Sequence, residues 1–377
     1  MTGCQKRKNN SEVTQLHKPS DILKLANGAT LRTSVIPHVE EKKSALSTAA
    51  NPEAYRLNLT LNVQIPAPAT TMEDLSLATP ELPMALPSLR EMLSSYSLPE
   101  KKGSTFFYDT LFENKIRVLE RQLTSLTQLS SRESLYDCQT ILTLTNQLTQ
   151  TPLLLIQAIM NVNADGSDGD RNIPLEKLSS TYQPQTNYRW NKTSLHPNPN
   201  IAQLKEELSK IQESIDKEKN TLEEEGKKAQ QVLFLQRTVE ELEHWSFLIG
   251  SADPFIVLPK FMLDKKEGGA SLGDYAIVFY NGTLYPAIVG DLGPSSKIGE
   301  ASLRICRAID SRSSATHRPL SSPHVTYLVF PGSADFPFQA PNYKHWSQRC
   351  HELWEKIGGS NQVLWHEWEE LDQPWKN

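Results

Sequence analysis

The chain has 377 residues, enough for more than one folded unit, and its 39 Lys and Arg against 44 Asp and Glu leave a net charge of −5. That balance argues against a nucleic-acid partner, whose phosphates call for a concentrated basic face. No run of 18 or more apolar residues offers a membrane-spanning helix, and Cys4, Cys138, Cys306 and Cys350 lie too far apart for metal-ligand spacing. The last three read as buried free thiols.

Residues 1 to about 50 are polar and lack periodicity, which predicts a tether with a short apolar patch from Ile22 to Leu25. Within it, Met1-Thr2-Gly3-Cys4 is similar to the end of a bacterial lipoprotein signal, whose cysteine becomes lipidated and anchors the protein at an envelope membrane. The apolar signal core is missing, so either the chain starts upstream of Met1 or the match is chance. Tyr55 to Val63 alternates polar and apolar residues, the period of a strand. Pro66, Pro68, Pro80, Pro83 and Pro87 then predict an irregular linker, completing a first segment over 1–100. Phe107, Leu111, Ile116, Leu119, Leu123 and Leu126 recur at helical intervals and predict a helix over 105–129, with a second over 134–150. Together these make a helical extension at 101–150. Leu153 to Met160 reads as a buried strand.

Ile201, Leu204, Leu208, Ile211, Ile215 and Leu222 mark an apolar seam between charged residues, continued by Val232, Leu235, Val239 and Leu242. Residues 201–249 are therefore expected to form a helical hairpin or coiled coil, with Gly226 either closing the hairpin or interrupting one long helix. From Pro254 the period switches to two, and Asn281-Gly282 predicts a tight hairpin turn. Glu300 to Ile309 has helical spacing. Trp354, Trp365, Trp368 and Trp375 fall on an expected C-terminal helix and strand, as core rings. The core then spans 151–200 and 250–377, interrupted by the helical segment.

The chemistry concentrates in Gly290-Asp291-Leu292-Gly293-Pro294-Ser295-Ser296-Lys297-Ile298-Gly299-Glu300-Ala301-Ser302. It sets two carboxylates around a glycine-punctuated turn that follows an apolar strand. Hydrolysis of a glycosidic bond with inversion needs one carboxylic acid to protonate the leaving oxygen and one carboxylate to activate water, about 6.5 to 9.5 Å apart. A capping aspartate and a helix-starting glutamate would give the same letters. The string from Asp274 to Ser302, with Gly-Asp-x-Gly-Pro and Lys-Ile-Gly-Glu-x-Ser, closely resembles the signature of glycoside hydrolase family 75, the fungal-type chitosanases. Val325 to Ser333 looks like that family's closing strand.

The resemblance covers roughly 153–190 and 252–335. It implies a β-rich α+β protein with a small double-psi-like β-barrel as hydrolase core, and an inverting endo-hydrolase of β-1,4-linked glucosamine polymers without metal or organic cofactor. Its two catalytic carboxylates fall on Asp291 and Glu300. Glu300, following the apolar Ile298, is the expected acid, with Asp291 holding the water. The fungal members lack the helical segment, which makes it an expected insertion.

The stretch Asn161 to Asn172 mimics the first half of a calcium loop but ends on Asn172 in place of a bidentate glutamate. The resemblance suggests that its Asp165, Asp168 and Asp170 line the cleft and attract a polycationic sugar, and a solvated acidic turn is the other reading. Tyr188 and Trp190 are candidates for sugar stacking or for core, and Asp274 is a further candidate substrate contact. No HExxH motif and no Gly-x-Ser-x-Gly elbow supports a zinc or serine hydrolase. An extracytoplasmic location, secreted or lipid-anchored, leaves two rival functions open: a non-catalytic glycan-binding scaffold, or a hydrolase of a peptidoglycan-like polymer.

Overall fold

The computed structural model describes residues 23–26, 29–37, 55–62, 65–96, 105–125, 136–171, 173, 181–217 and 221–370. Cys4 and Trp375 lie outside them. The chain divides into two compact units, Met1–Pro66 and Ala67–Asn377. The first contains an antiparallel sheet of three strands, β1 (Leu23–Ala26), β2 (Ala29–Pro37) and β3 (Tyr55–Asn62), in that order. β3 is the strand that the alternation predicts. β1 and β2 stand where a tether was expected, in a stretch whose Thr30, Thr33, Val35 and Ile36 are β-branched residues that suit a pleated surface.

The second unit opens with α1 (Met72–Ala78), α2 (Leu82–Ala85) and α3 (Leu89–Tyr96) in place of the irregular linker. Pro83 sits in the first turn of α2, where a missing N–H costs nothing, so these prolines separate helices without preventing them. Leu75, Leu82, Leu86 and Leu89 are fully buried. Next comes α4 (Phe106–Ser125), as expected. The helix predicted over 134–150 is instead β4 (Cys138–Thr145), because its β-branched Thr140, Ile141, Thr143 and Thr145 and its antiparallel pairing with β5 (Pro152–Asn163) outweigh a weak helical spacing.

After β6 (Arg189–Asn191) come α5 (Ile201–Lys217) and α6 (Leu222–His244), an antiparallel helical hairpin joined across its length by Lys205–Glu243 at 2.7 Å and Gln231–Glu207 at 3.2 Å. Gly226 lies inside α6 and does not close the hairpin. α6 starts instead at Thr221 and Glu224, which form a reciprocal capping box. β7 (Trp245–Phe247) pairs with β6 and ties the hairpin down at its base, above a cluster of Ile201, Val239, Leu242 and Phe247.

The remaining elements are β8 (Phe255–Pro259), β9 (Tyr275–Tyr280), β10 (Thr283–Gly293), β11 (Glu300–Ser302), α7 (Leu303–Ile309), β12 (Leu320–Val329), α8 (Tyr343–Lys356) and β13 (Leu364–Trp365). Asn281 and Gly282, both at positive φ, make the tight turn between β9 and β10. The predicted helix over 300–309 is split. Its first three residues are drawn into the sheet, and Ser302 caps α7. Cys138, Cys306 and Cys350 are free and buried, and Trp354 is in the core.

Six strands close into a barrel in the order β11–β8–β10–β9–β12–β5 and back to β11, giving a mixed α+β protein. The β8–β10 and β5–β11 pairings are parallel. One set of alternate residues, including Leu155, Phe255, Ile277, Ile288 and Leu328, packs with the leucines of α1–α3 and with Trp346 and Trp354 of α8. A six-stranded barrel has no room for a helix inside, so this is the outer face. The other set, including Ile156, Ile256, Val278, Ala287, Val289 and Tyr327, turns toward the interior and clusters as well with Phe107, Tyr108, Leu111 and Phe112 of α4 and with Ile305 and Cys306 of α7. Among the described residues no helix is long and apolar enough to cross a membrane.

Helix α4 fixes the loop between β10 and β11. The buried Lys115 ammonium donates to Asp137 at 2.8 Å and to the Ser296 carbonyl at 2.7 Å, while Asp137 also accepts the Ile298 N–H at 3.0 Å. Burial raises the Asp137 pKa and Lys115 opposes the rise. Removing one partner strands the other charge. Lys115→Met is expected to lower stability by about 3–5 kcal/mol, and adding Asp137→Leu to recover much of that, in denaturant unfolding at neutral pH.

Candidate active site

The position of each carboxylate follows from strand register. Asp291 of β10 and Glu300 of β11 lie opposite the same residue of the strand between them, Val257 of β8. Directly opposed residues point to one face of a sheet, and Val257 belongs to the outer, helix-covered set. A register shift between Val289 and Asp291 makes this possible. Val289 opposes Ile256 and points inward, so regular pairing would set Asp291 opposite Leu258, also inward. The extra residue, Gly290, turns Asp291 outward. Asp291 is thus the end of a strand, not part of the turn, which is confined to the loop from Pro294 to Gly299. Gly299 closes that loop at φ +77, where an added Cβ would lie 2.3 Å from the Ile159 carbonyl oxygen.

Asn163, at the end of β5, joins the two acids. Its side-chain nitrogen lies 3.3 Å from Asp291 Oδ2, 3.0 Å from Glu300 Oε1 and 3.4 Å from Asp165 Oδ2. The facing oxygens of Asp291 and Glu300 are therefore no farther apart than those two bonds end to end, about 6.3 Å. Asp291 Oδ1 accepts the Asn187 N–H at 2.8 Å, and Asn187 Oδ1 in turn accepts the Leu292 N–H at 3.2 Å. A cleft of about 490 Å³ opens over the group, with Asp165, Gln183, Lys297, His317 and Arg318 in its walls. Arg318 donates to Asn161 at 2.7 Å.

Two protons on the Asn163 nitrogen serve three carboxylates, so the site holds excess negative charge in a poorly hydrated place. Burial first, then repulsion from Asp165 and Glu300, raises Asp291 to about 7 against the Asn187 hydrogen bond. Glu300 rises to about 6, again chiefly through burial, with Asn163 and Lys297 holding it down. Asp165 is raised for the same reason. Such paired acids with elevated pKa values can exchange protons near neutrality.

Of the other predicted contacts, only Asp165 reaches the cleft. Asp168 is buried against Arg171 at 2.6 Å, and Arg171 in turn binds Asp253. Asp170 accepts the Thr193 and Ser194 N–H groups and the Ser246 hydroxyl. Their oxygens are thus engaged by Arg171, Thr193, Ser194 and Ser246 within the fold. Asp274 is fully buried and accepts the N–H groups of Ser271, Gly332 and Ala334, which makes it a loop anchor. Trp190 is core, with the Arg171 guanidinium 5.5 Å from its ring. Tyr188 is buried, stacked on Phe338 and bonded to the Gln339 carbonyl, away from the cleft. Sequence reasoning missed Asn163, Asn187, Lys297 and Arg318. The signal for Asn163 was its period-two placement after Asn161, which puts both amides on the face of β5 that also carries Gln157.

A carboxyl held at about 7 in the fold but near 3.8 when unfolded stabilises the protonated native state. Stability is therefore lost as pH rises from about 4 through about 7. Asp291→Asn mimics the protonated form. It is expected to stabilise the protein on the order of 4 kcal/mol at pH 8 and negligibly at pH 4, read by denaturant unfolding at both pH values.

A family model described as fungal chitosanase of glycosyl hydrolase group 75 matches residues 160–360. A search of curated proteins finds no match. The matched region contains the whole carboxylate cluster and more than half of the chain, and the protein therefore belongs to this family of chitosanase-type glycoside hydrolases.

Proposed function

We propose that the protein cleaves β-1,4-linked glucosamine polymers by single displacement, with Asp291 and Glu300 as the catalytic pair. The observation that carries this reading is the convergence of both carboxyl groups on the Asn163 nitrogen. Their facing oxygens lie no more than about 6.3 Å apart, close enough to flank one sugar linkage; that bound falls just below the spacing of inverting pairs, so single displacement is taken from the family resemblance and is decided by the anomer test below. The third carboxylate, Asp165, adds negative charge that attracts the ammonium groups of the polymer. The parallel β8–β10 and β5–β11 pairings support a double-psi barrel, and the α5–α6 hairpin is read as an insertion relative to fungal-type members.

The electrostatics favour roles opposite to those expected from the sequence. Ile298 points into the interior and Gly299 reverses the chain after it, so Ile298 does not shield Glu300. Asp291 is the more buried of the two and retains its proton to higher pH, which suits the general acid. Glu300 is held ionised by Asn163 and Lys297, which suits the base that activates water.

Asp291→Asn and Glu300→Gln are each expected to lower kcat/KM on soluble glucosamine oligomers by roughly 10²–10⁴. Full activity in either variant would remove the reading. With an activated aryl glycoside, whose leaving group needs no proton, Asp291→Asn is expected to keep activity and Glu300→Gln to lose it.

The pair must carry one proton. The pH profile of kcat/KM should therefore peak between about 6 and about 7, falling on the acid side as Glu300 protonates and on the alkaline side as Asp291 ionises. Proton NMR of the first product should show the α-anomer, and a β-anomer would establish retention instead.

A further inference from the structure

Beyond Asp291 the cleft continues into a second space of about 440 Å³, which shares Gln183, Asp291 and Leu292 with it. One wall is the segment carrying Gln185, Asn187 and Arg189. The other comes from α6, through Arg237 and Glu241, with Leu272 as an apolar surface. The helical hairpin thus contributes directly to the groove in which the substrate would lie.

The sign of the charge changes along this groove. Glu241 accepts from Arg237 at 3.2 Å and from Gln185 at 2.6 Å, and Arg189 approaches it at 3.7 Å. Arg189 is also held over the Trp245 ring at 4.8 Å. Two guanidinium groups therefore face one carboxylate whose oxygens are both engaged, leaving one positive charge in excess. The catalytic cleft sets Asp165, Asp291 and Glu300 against Lys297 and Arg318, three acids to two bases, with Asp291 shared between the two spaces. A glucosamine ammonium is favoured over the catalytic acids and disfavoured one position along. An acetamido group, neutral and carrying a methyl, an N–H and a carbonyl, matches a wall of amides, guanidinium donors and Leu272.

We infer that this space is a subsite for an N-acetylated sugar unit, with Arg189 and Arg237 as its specificity-determining residues, so that the enzyme cuts partly acetylated chains in preference to fully deacetylated ones. The inference rests on the proposed glycosidase function and deepens it. Arg237 is 80% exposed, so its replacement leaves the fold intact.

The test compares kcat/KM on fully deacetylated and half-acetylated chitosan oligomers for wild type and Arg237→Glu, with mass spectrometry of the new chain ends. Wild type should favour the half-acetylated substrate, with acetylated units enriched on the same side of the cut. Arg237→Glu changes the charge by two units and should move the ratio toward the deacetylated substrate by roughly fifteenfold, the scale of two screened charges at about 5 Å. If wild-type cleavage depends on Glu300 but neither the ratio nor the end composition responds to Arg237→Glu, the subsite assignment is wrong and the catalytic reading stands. If wild type cleaves neither substrate, both fall together.

Discussion

The site depends on one extra residue in one strand. Side chains alternate strictly along β10, so Asp291 would face the barrel interior if the pairing with β8 were regular. The register shift at Gly290 sends it to the outer face instead, level with Val257 and Glu300. Glycine suits this place for a second reason: a Cβ there would lie 2.6 Å from the Phe255 side chain, so the two strands approach more closely than any larger residue allows.

Given that register, the electrostatics follow. Three carboxylates gather about one amide nitrogen at the floor of the cleft, and their burial raises all three. The differences between them come from their neighbours. Asp291 lies closest to the repulsion of the others, whereas Glu300 has Lys297 on the adjoining loop. Holding these acids out of water costs stability once they ionise, which is why the cost grows as pH rises.

Two elements outside the barrel strands shape this surface. Helix α4 grips the 294–299 loop through Lys115 and through Asn114, which donates to the Ser295 carbonyl at 3.2 Å. The α5–α6 hairpin borders the groove on the other side of Asp291. Both come from stretches that carry no chemical motif in the sequence. One holds the loop that joins Asp291 to Glu300, and the other lines the space next to them.

What the sequence determined by itself was local. The 3.6 period of α4, α5 and α6, the two-residue period of β3 and the strands after Pro254, the Asn281-Gly282 turn and the pairing of Asp291 with Glu300 were all legible, because propensity and pattern act over a few residues. The resemblance supplied the family on the strength of 274–302. Tertiary structure decided the rest. β4 is a strand because β5 offers it an edge, and residues 300–302 leave a helical pattern because β5 and β8 bind them from both sides. Asp168, Asp170 and Asp274 have the composition of a binding site and spend it on Arg171 and on backbone N–H groups, a difference that depends on which partners lie across the fold. Asn163 belongs to the site for the same reason: its role is a distance to groups 128 and 137 residues away, and no short stretch of sequence encodes such a distance.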